Sequence, residues 1–75
     1  MKSIKIRTEY IELQQILKLE DFISSGGAAK YFLIENEVYV NGELENRRGK
    51  KLYPGDIIKI LDKEFIIEKW LKKSN

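Results

Sequence analysis

Residues 24–42, SSGGAAKYFLIENEVYVNG, change their hydrophobic period within a few positions, and that change leaves few folds open. Ala28, Ala29, Phe32 and Leu33 fall at i, i+1, i+4 and i+5, which puts them on one face of a helix. Val38 and Val40 then alternate with Glu37 and Tyr39, the period of a half-buried strand. Asn41-Gly42 follows at once. Both residues tolerate the positive φ of a two-residue type I′ hairpin, so the chain is expected to turn back there. A helix feeding straight into a tight hairpin is one supersecondary unit, and the remaining elements must pack as its neighbours.

Ahead of this unit, Ile4 and Ile6 alternate with Ser3, Lys5 and Arg7, which reads as a half-buried amino-terminal strand. Residues 11–19 carry Leu13, Ile16 and Leu17 at i, i+3 and i+4 and read as an amphipathic first helix. Phe22 and Ile23 are expected beneath the connection between the helices. Ser24 or Ser25 can accept from the free N–H groups that open the second helix, although Gly26-Gly27 is poor helix material.

Behind the hairpin, Glu43-Leu44-Glu45 reads as a short returning strand with only Leu44 facing inward. Leu52 and Tyr53 are expected to re-enter the core, and Tyr53-Pro54-Gly55-Asp56 has the proline and glycine of a type II turn. Residues 57–61 and 64–68 are β-rich and are expected to form a second hairpin at Asp62-Lys63. Trp70 and Leu71 can cover an edge of the core before residues 72–75 fray. The order β, α, α and then mostly antiparallel β is an α+β arrangement, read as a single domain over residues 1–75.

Composition narrows the chemistry. The chain has 75 residues with 43% hydrophobic content, enough periodic apolar sequence for a folded globule at the lower end of domain size. Without cysteine or histidine it lacks the usual thiolate ligand, the usual imidazole ligand and the commonest general base. No catalytic set, metal site or cofactor site can be assembled, and no enzyme is expected. No apolar run approaches the roughly 20 residues of a membrane span, and the first residues hold no signal-peptide core, so a cytoplasmic protein is expected.

Charge is distributed unevenly. Residues 1–46 hold 5 basic and 8 acidic side chains, a balance of −3, whereas residues 47–75 hold 9 and 4, a balance of +5. The reversal begins with Arg47, Arg48, Lys50 and Lys51, four cations around Gly49. Such a loop can meet several phosphates at once, with counterion release driving binding, or it can simply keep the protein soluble. Lys30 is the only basic residue on the second helix and lies off its apolar face. Tyr31, Tyr39 and Tyr53 could stack on bases, but Tyr53 is expected in the core and Tyr39 outside. Glu35, Glu37, Glu43 and Glu45 read as a solvated acidic face, and Trp70 as an edge-of-core residue. Gly26-Gly27 lacks the trailing residues of a phosphate loop.

Leu13-x-x-Ile16-Leu17, Ser24-Ser25, Ala28-Ala29-Lys30, Ile34, Val38-x-Val40-Asn41-Gly42 and Pro54-Gly55-Asp56-x-Ile58 together resemble the S-four (S4) RNA-binding domain, over about residues 13–60. The likeness is greatest to small bacterial proteins made of this domain alone. It implies a helix pair and hairpin that grip structured RNA, ribosomal or transfer, through its backbone, with a ribosomal particle as one setting. Carried over by position, Lys30 matches the basic residue of the family's Ala-Arg pair, and Arg47, Arg48, Lys50 and Lys51 fall where further basic residues are frequent. Asn41, Gly42, Pro54 and Gly55 would serve as structural turns. The chain departs at Gly26, where an arginine is common, and at Asn36, where glycine is usual. The richer basic loop is expected to compensate. The same VxVNG and GDxI pieces also resemble the small β-grasp sulfur carriers, whose reactive Gly-Gly end is not found at Lys73-Ser74-Asn75. A protein-interaction adaptor using the acidic face is a third reading.

Overall fold

The computed structural model describes residues 1–71, so the fraying expected of residues 72–75 lies outside the described residues. In chain order the elements are β1 (Lys2–Ile6), β2 (Ile11–Glu12), α1 (Leu13–Leu19), a 3₁₀ turn (Gly26–Ala28), α2 (Ala29–Glu35), β3 (Val38–Val40), β4 (Glu43–Leu44), β5 (Lys51–Leu52), β6 (Ile57–Ile60) and β7 (Lys63–Lys69). Five strands form one sheet in the order β1-β7-β6-β3-β4, and β2 pairs with β5 in a separate two-stranded ribbon. Only β1 and β7 run parallel in the larger sheet. The expected α+β architecture, with an amino-terminal strand, two helices and a mostly antiparallel sheet, is what the chain adopts.

Period-2 patterning decides which sheet face is dry. Ile4, Ile6, Val38, Val40, Ile58, Ile60, Phe65 and Ile67 are buried together with Leu13, Ile16 and Leu17 of α1 and Ala29 and Leu33 of α2. Each large side chain so buried is worth about 1.5–3 kcal/mol over leaving it in water. Phe22 lies at the margin of this core, its ring centroid 5.7 Å from Phe32 and 6.2 Å from Phe65, edge-on to the latter.

The Asn41-Gly42 turn forms as expected. Their φ values are 51° and 83°, and Val40 faces Glu43 across a two-residue loop. That register also corrects the reading of the returning strand. Leu44 lies opposite Tyr39, and directly opposed residues share a sheet face, so Leu44 follows Tyr39 outward and is 61% exposed. Glu45 takes the inward position instead. The second hairpin turns at Leu61-Asp62, one residue earlier than expected, with Leu61 at φ 57°. In this register Lys59 lies opposite Glu64, a favourable cross-strand charge pair that the later turn would replace with Lys59 opposite Ile66.

Both helix starts differ from the expected ones. Ile11 and Glu12 are extended, because β2 pairs with β5 and buries Ile11 opposite Leu52. α1 therefore begins at Leu13, with the Glu12 N–H donating to Gln15 Oε1 at 2.8 Å. Its far end closes through Asp21 at φ 62°, where the Phe22 N–H reaches Leu17 O and the Asp21 N–H reaches Lys18 O, the two bonds of a Schellman cap. Neither Ser24 nor Ser25 caps the second helix with its side chain. Ser25 supplies its carbonyl to the Ala28 N–H, and Gly26-Gly27 winds into the tighter 3₁₀ turn before α2 starts at Ala29.

Near the carboxyl end Trp70 is half-covered. Its N–H bonds to Ile6 O at 2.7 Å, and the Arg7 guanidinium lies 4.1 Å from its ring centroid. Leu71, expected to shield the core, is 78% exposed. Among the described residues no helix is long and apolar enough to cross a membrane.

Candidate nucleic-acid interface

The segment between β4 and β5 holds Arg47, Arg48 and Lys50, with Lys51 opening β5, and it is pinned on two sides. Toward the hairpin, Glu45 accepts from the Arg47 backbone N–H at 3.0 Å, from Nε at 2.9 Å and from Nη2 at 3.1 Å. Toward the helices, the Leu13 N–H donates to Lys50 O and the Gln14 N–H to Arg48 O, both at 2.9 Å. The first N–H groups of a helix have no partner within it, so the loop's carbonyls satisfy donors that would otherwise need water. A Lys50 N–H bond to Arg47 O tightens the turn between the two anchors. Cationic side chains are thus mounted on a fixed backbone.

Glu45 corrects the solvated-face reading for that residue. It is buried, and its bonds to the Arg47 side chain, above all, hold its carboxyl down from 4.5 to about 2. The same bonds raise the Arg47 guanidinium pKa. Arg47 is consequently part structural, with two guanidinium nitrogens occupied and its remaining N–H groups facing outward. Arg48 and Lys51 are exposed and Lys50 half-buried.

Lys30 sits in the first turn of α2 on the exposed side, and among the described residues it forms no ion pair. Arg47, Arg48, Lys50 and Lys51 fall on one short stretch of chain, whereas among the described residues no hydrogen bond or ion pair joins Lys30 to it.

Tyr53 departs from its expected core position. It follows the fully buried Leu52, so alternation along β5 turns it outward, and it is 41% exposed. Its ring lies 5.8 Å from that of Tyr10, and Lys51 Nζ stands 4.9 Å from the Tyr10 ring centroid. The Pro54-Gly55 turn forms as expected, with Gly55 at φ 99° and the Asp56 N–H on Tyr53 O at 2.9 Å. Asp56 then ties the site together, accepting the Tyr53 N–H on Oδ2 and the Asn41 side-chain amide on Oδ1. Sequence reasoning missed Tyr10, Glu45 and Asp56 in these roles. For Glu45 a signal was available, since it stands two residues before an arginine at the end of an alternating strand. Tyr31 is exposed on α2, and Tyr39 is half-buried, its phenol pKa pushed up mainly by the neighbouring Glu37 charge.

The comparisons agree with this architecture. Residues 4–68 match the family model described as S4 domain. A Bacillus subtilis (strain 168) protein named "Probable ribosome maturation protein RlbA" is 61% identical over 57 residues, covering 76% of this chain and 80% of its own. An Escherichia coli (strain K12) protein named "Putative RNA-binding protein YbcJ" is 37% identical over 49 residues, 65% of this chain and 70% of its own. With the family model spanning nearly all of the helix pair and sheet, the chain belongs to the S4 domain family.

Proposed function

We propose that this protein binds structured RNA, ribosomal or transfer, in the cytoplasm and without catalysis, and that it does so on a ribosomal particle. Family membership and the relatives named for RNA binding and ribosome maturation support the RNA partner. The observation that carries the reading is the mounting of Arg47, Arg48, Lys50 and Lys51 on a loop bonded to both α1 and Glu45. A preset cluster of cations meets phosphates without first ordering a loop, and the counterions released supply affinity. Lys30, in the helix pair, extends the contact. Backbone contacts fix position, and the A-form shape supplies selectivity.

The test is RNA affinity as a function of salt for the parent and for a variant with Arg47, Arg48, Lys50 and Lys51 all changed to alanine. Affinity is expected to fall steeply in the variant, with a shallower salt dependence. Equal binding by parent and variant would reduce the loop to a solubilising feature. Crosslinking in cells, followed by sequencing of the bound RNA, would name the partner.

A further inference from the structure

A groove of about 390 Å³ separates the Asn41-Gly42 hairpin from the basic loop. Its size falls in the range of roughly 300–1,000 Å³ that small-molecule sites occupy. Its lining carries both charges: Arg47, Lys50 and Lys51 contribute cations, Glu43, Glu45 and Asp56 carboxylates, and Tyr53 an aromatic ring. A second depression is lined by Arg47, Gly49, Lys50, Lys51 and Tyr53. Tyr53 is the aromatic residue common to both hollows, which also share Arg47, Lys50 and Lys51.

A phosphate backbone alone has no use for such a groove. Its carboxylates repel phosphate, and its aromatic side chain offers no charge. A nucleotide with its base unstacked from the helix does fit the pattern: base over the tyrosine, phosphate on the neighbouring Lys50 and Lys51. We propose that Tyr53 is the stacking seat for one unpaired base of the bound RNA, with Lys50 and Lys51 holding the adjoining phosphate.

The mounting of Tyr53 suits that task. Its backbone N–H is held by Asp56 Oδ2 at 2.8 Å, and Asp56 is itself held by Asn41. Tyr10 supports the ring from one side at a 48° tilt, and Lys51 over the Tyr10 ring keeps a cation beside the pair. A seat fixed in this way loses little freedom when a base arrives. Every base has a π-face, so the seat selects for an unpaired nucleotide and not for a particular sequence.

The inference rests on the RNA-binding reading, and one experiment separates the two. Two short RNA hairpins are compared at low ionic strength, one fully paired and one carrying a single bulged fluorescent purine whose emission falls on stacking. The parent is expected to bind the bulged hairpin more tightly, on the order of tenfold, and to quench the purine. Tyr53→Phe should keep both effects, because the ring and not the hydroxyl does the stacking. Tyr53→Leu should bind the two hairpins equally and leave the purine bright, while still binding with a steep salt dependence. Equal, salt-sensitive binding of both hairpins by the parent, without quenching, overturns the seat and leaves RNA binding standing. Failure of the parent to bind either hairpin overturns both.

Discussion

Glu45 grips Arg47 three times, through the backbone N–H at 3.0 Å, Nε at 2.9 Å and Nη2 at 3.1 Å, although Arg47 follows it by only two residues. The carboxylate closes the chain into a short ring just where β4 gives way to the basic loop. Its consequence should be visible as acid sensitivity. The folded-state pKa of Glu45 lies below its ordinary value of 4.5, at about 2. Stabilisation from a depressed carboxyl is present above the unfolded value and is lost as pH falls through the folded one. Melting temperatures measured from about pH 6 down to about pH 2, from above the unfolded value to the folded one, should fall more for the parent than for Glu45→Gln. The difference should be on the order of 1 kcal/mol once screening at the exposed guanidinium is discounted. Parallel acid profiles would mean that the ring contributes nothing to stability.

Gly42→Val should cost about 1–3 kcal/mol. Open space surrounds the position where a Cβ would stand, so steric contact with neighbours adds nothing. The cost is the backbone at φ 83°, which a β-branched residue adopts only under strain. Chemical denaturation gives the value directly, and an unchanged midpoint would refute the strain argument.

Asp56→Ala should loosen two turns together. Its carboxylate links the Tyr53 N–H to the Asn41 side chain, and Asn41 Oδ1 also accepts the Ile57 N–H. The bonds are solvent-exposed, so a loss of about 1 kcal/mol is expected. Amide exchange should quicken at Tyr53. An unaltered exchange rate there would show that the turn is held by its backbone bond to Asp56 alone.

Lys30→Glu tests whether helix and loop form one binding surface. RNA affinity should fall, and the salt slope should drop by roughly one phosphate's worth. Stability should move by no more than about 0.5 kcal/mol, because the side chain is exposed on α2. Combined with the loop variant, the charge reversal should lose less than the two separate losses together if both sites engage one RNA. Full affinity in Lys30→Glu would leave the loop as a separate anion site.

Much of this fold can be read locally. The alternation of Val38 and Val40, the Asn41-Gly42 turn and the helical spacing of Leu13, Ile16 and Leu17 each depend on residues within a few positions. What could not be read depends on partners far away in sequence. Ile11 looks helical until it is set opposite Leu52, and nothing near it in the chain announces that partner. Leu44 looks buried because it is apolar, but its face is dictated by Tyr39 across the ladder. At the candidate site the cations were legible by composition alone. Their anchorage to the first N–H groups of α1, and the outward turn of Tyr53, required the assembled ribbon.

The parallel pairing of β1 with β7 has a kinetic consequence. Ile67 lies opposite Ile4 but follows it by 63 positions in the chain, so the partner strand emerges much later in synthesis. β1 has no partner in the larger sheet until then, whereas the β3–β4 and β6–β7 hairpins can each close as soon as they emerge. Assembly should therefore proceed from the hairpins outward, with β1 captured last although it is translated before them. Closing a loop that spans most of the chain makes that capture the step most exposed to delay.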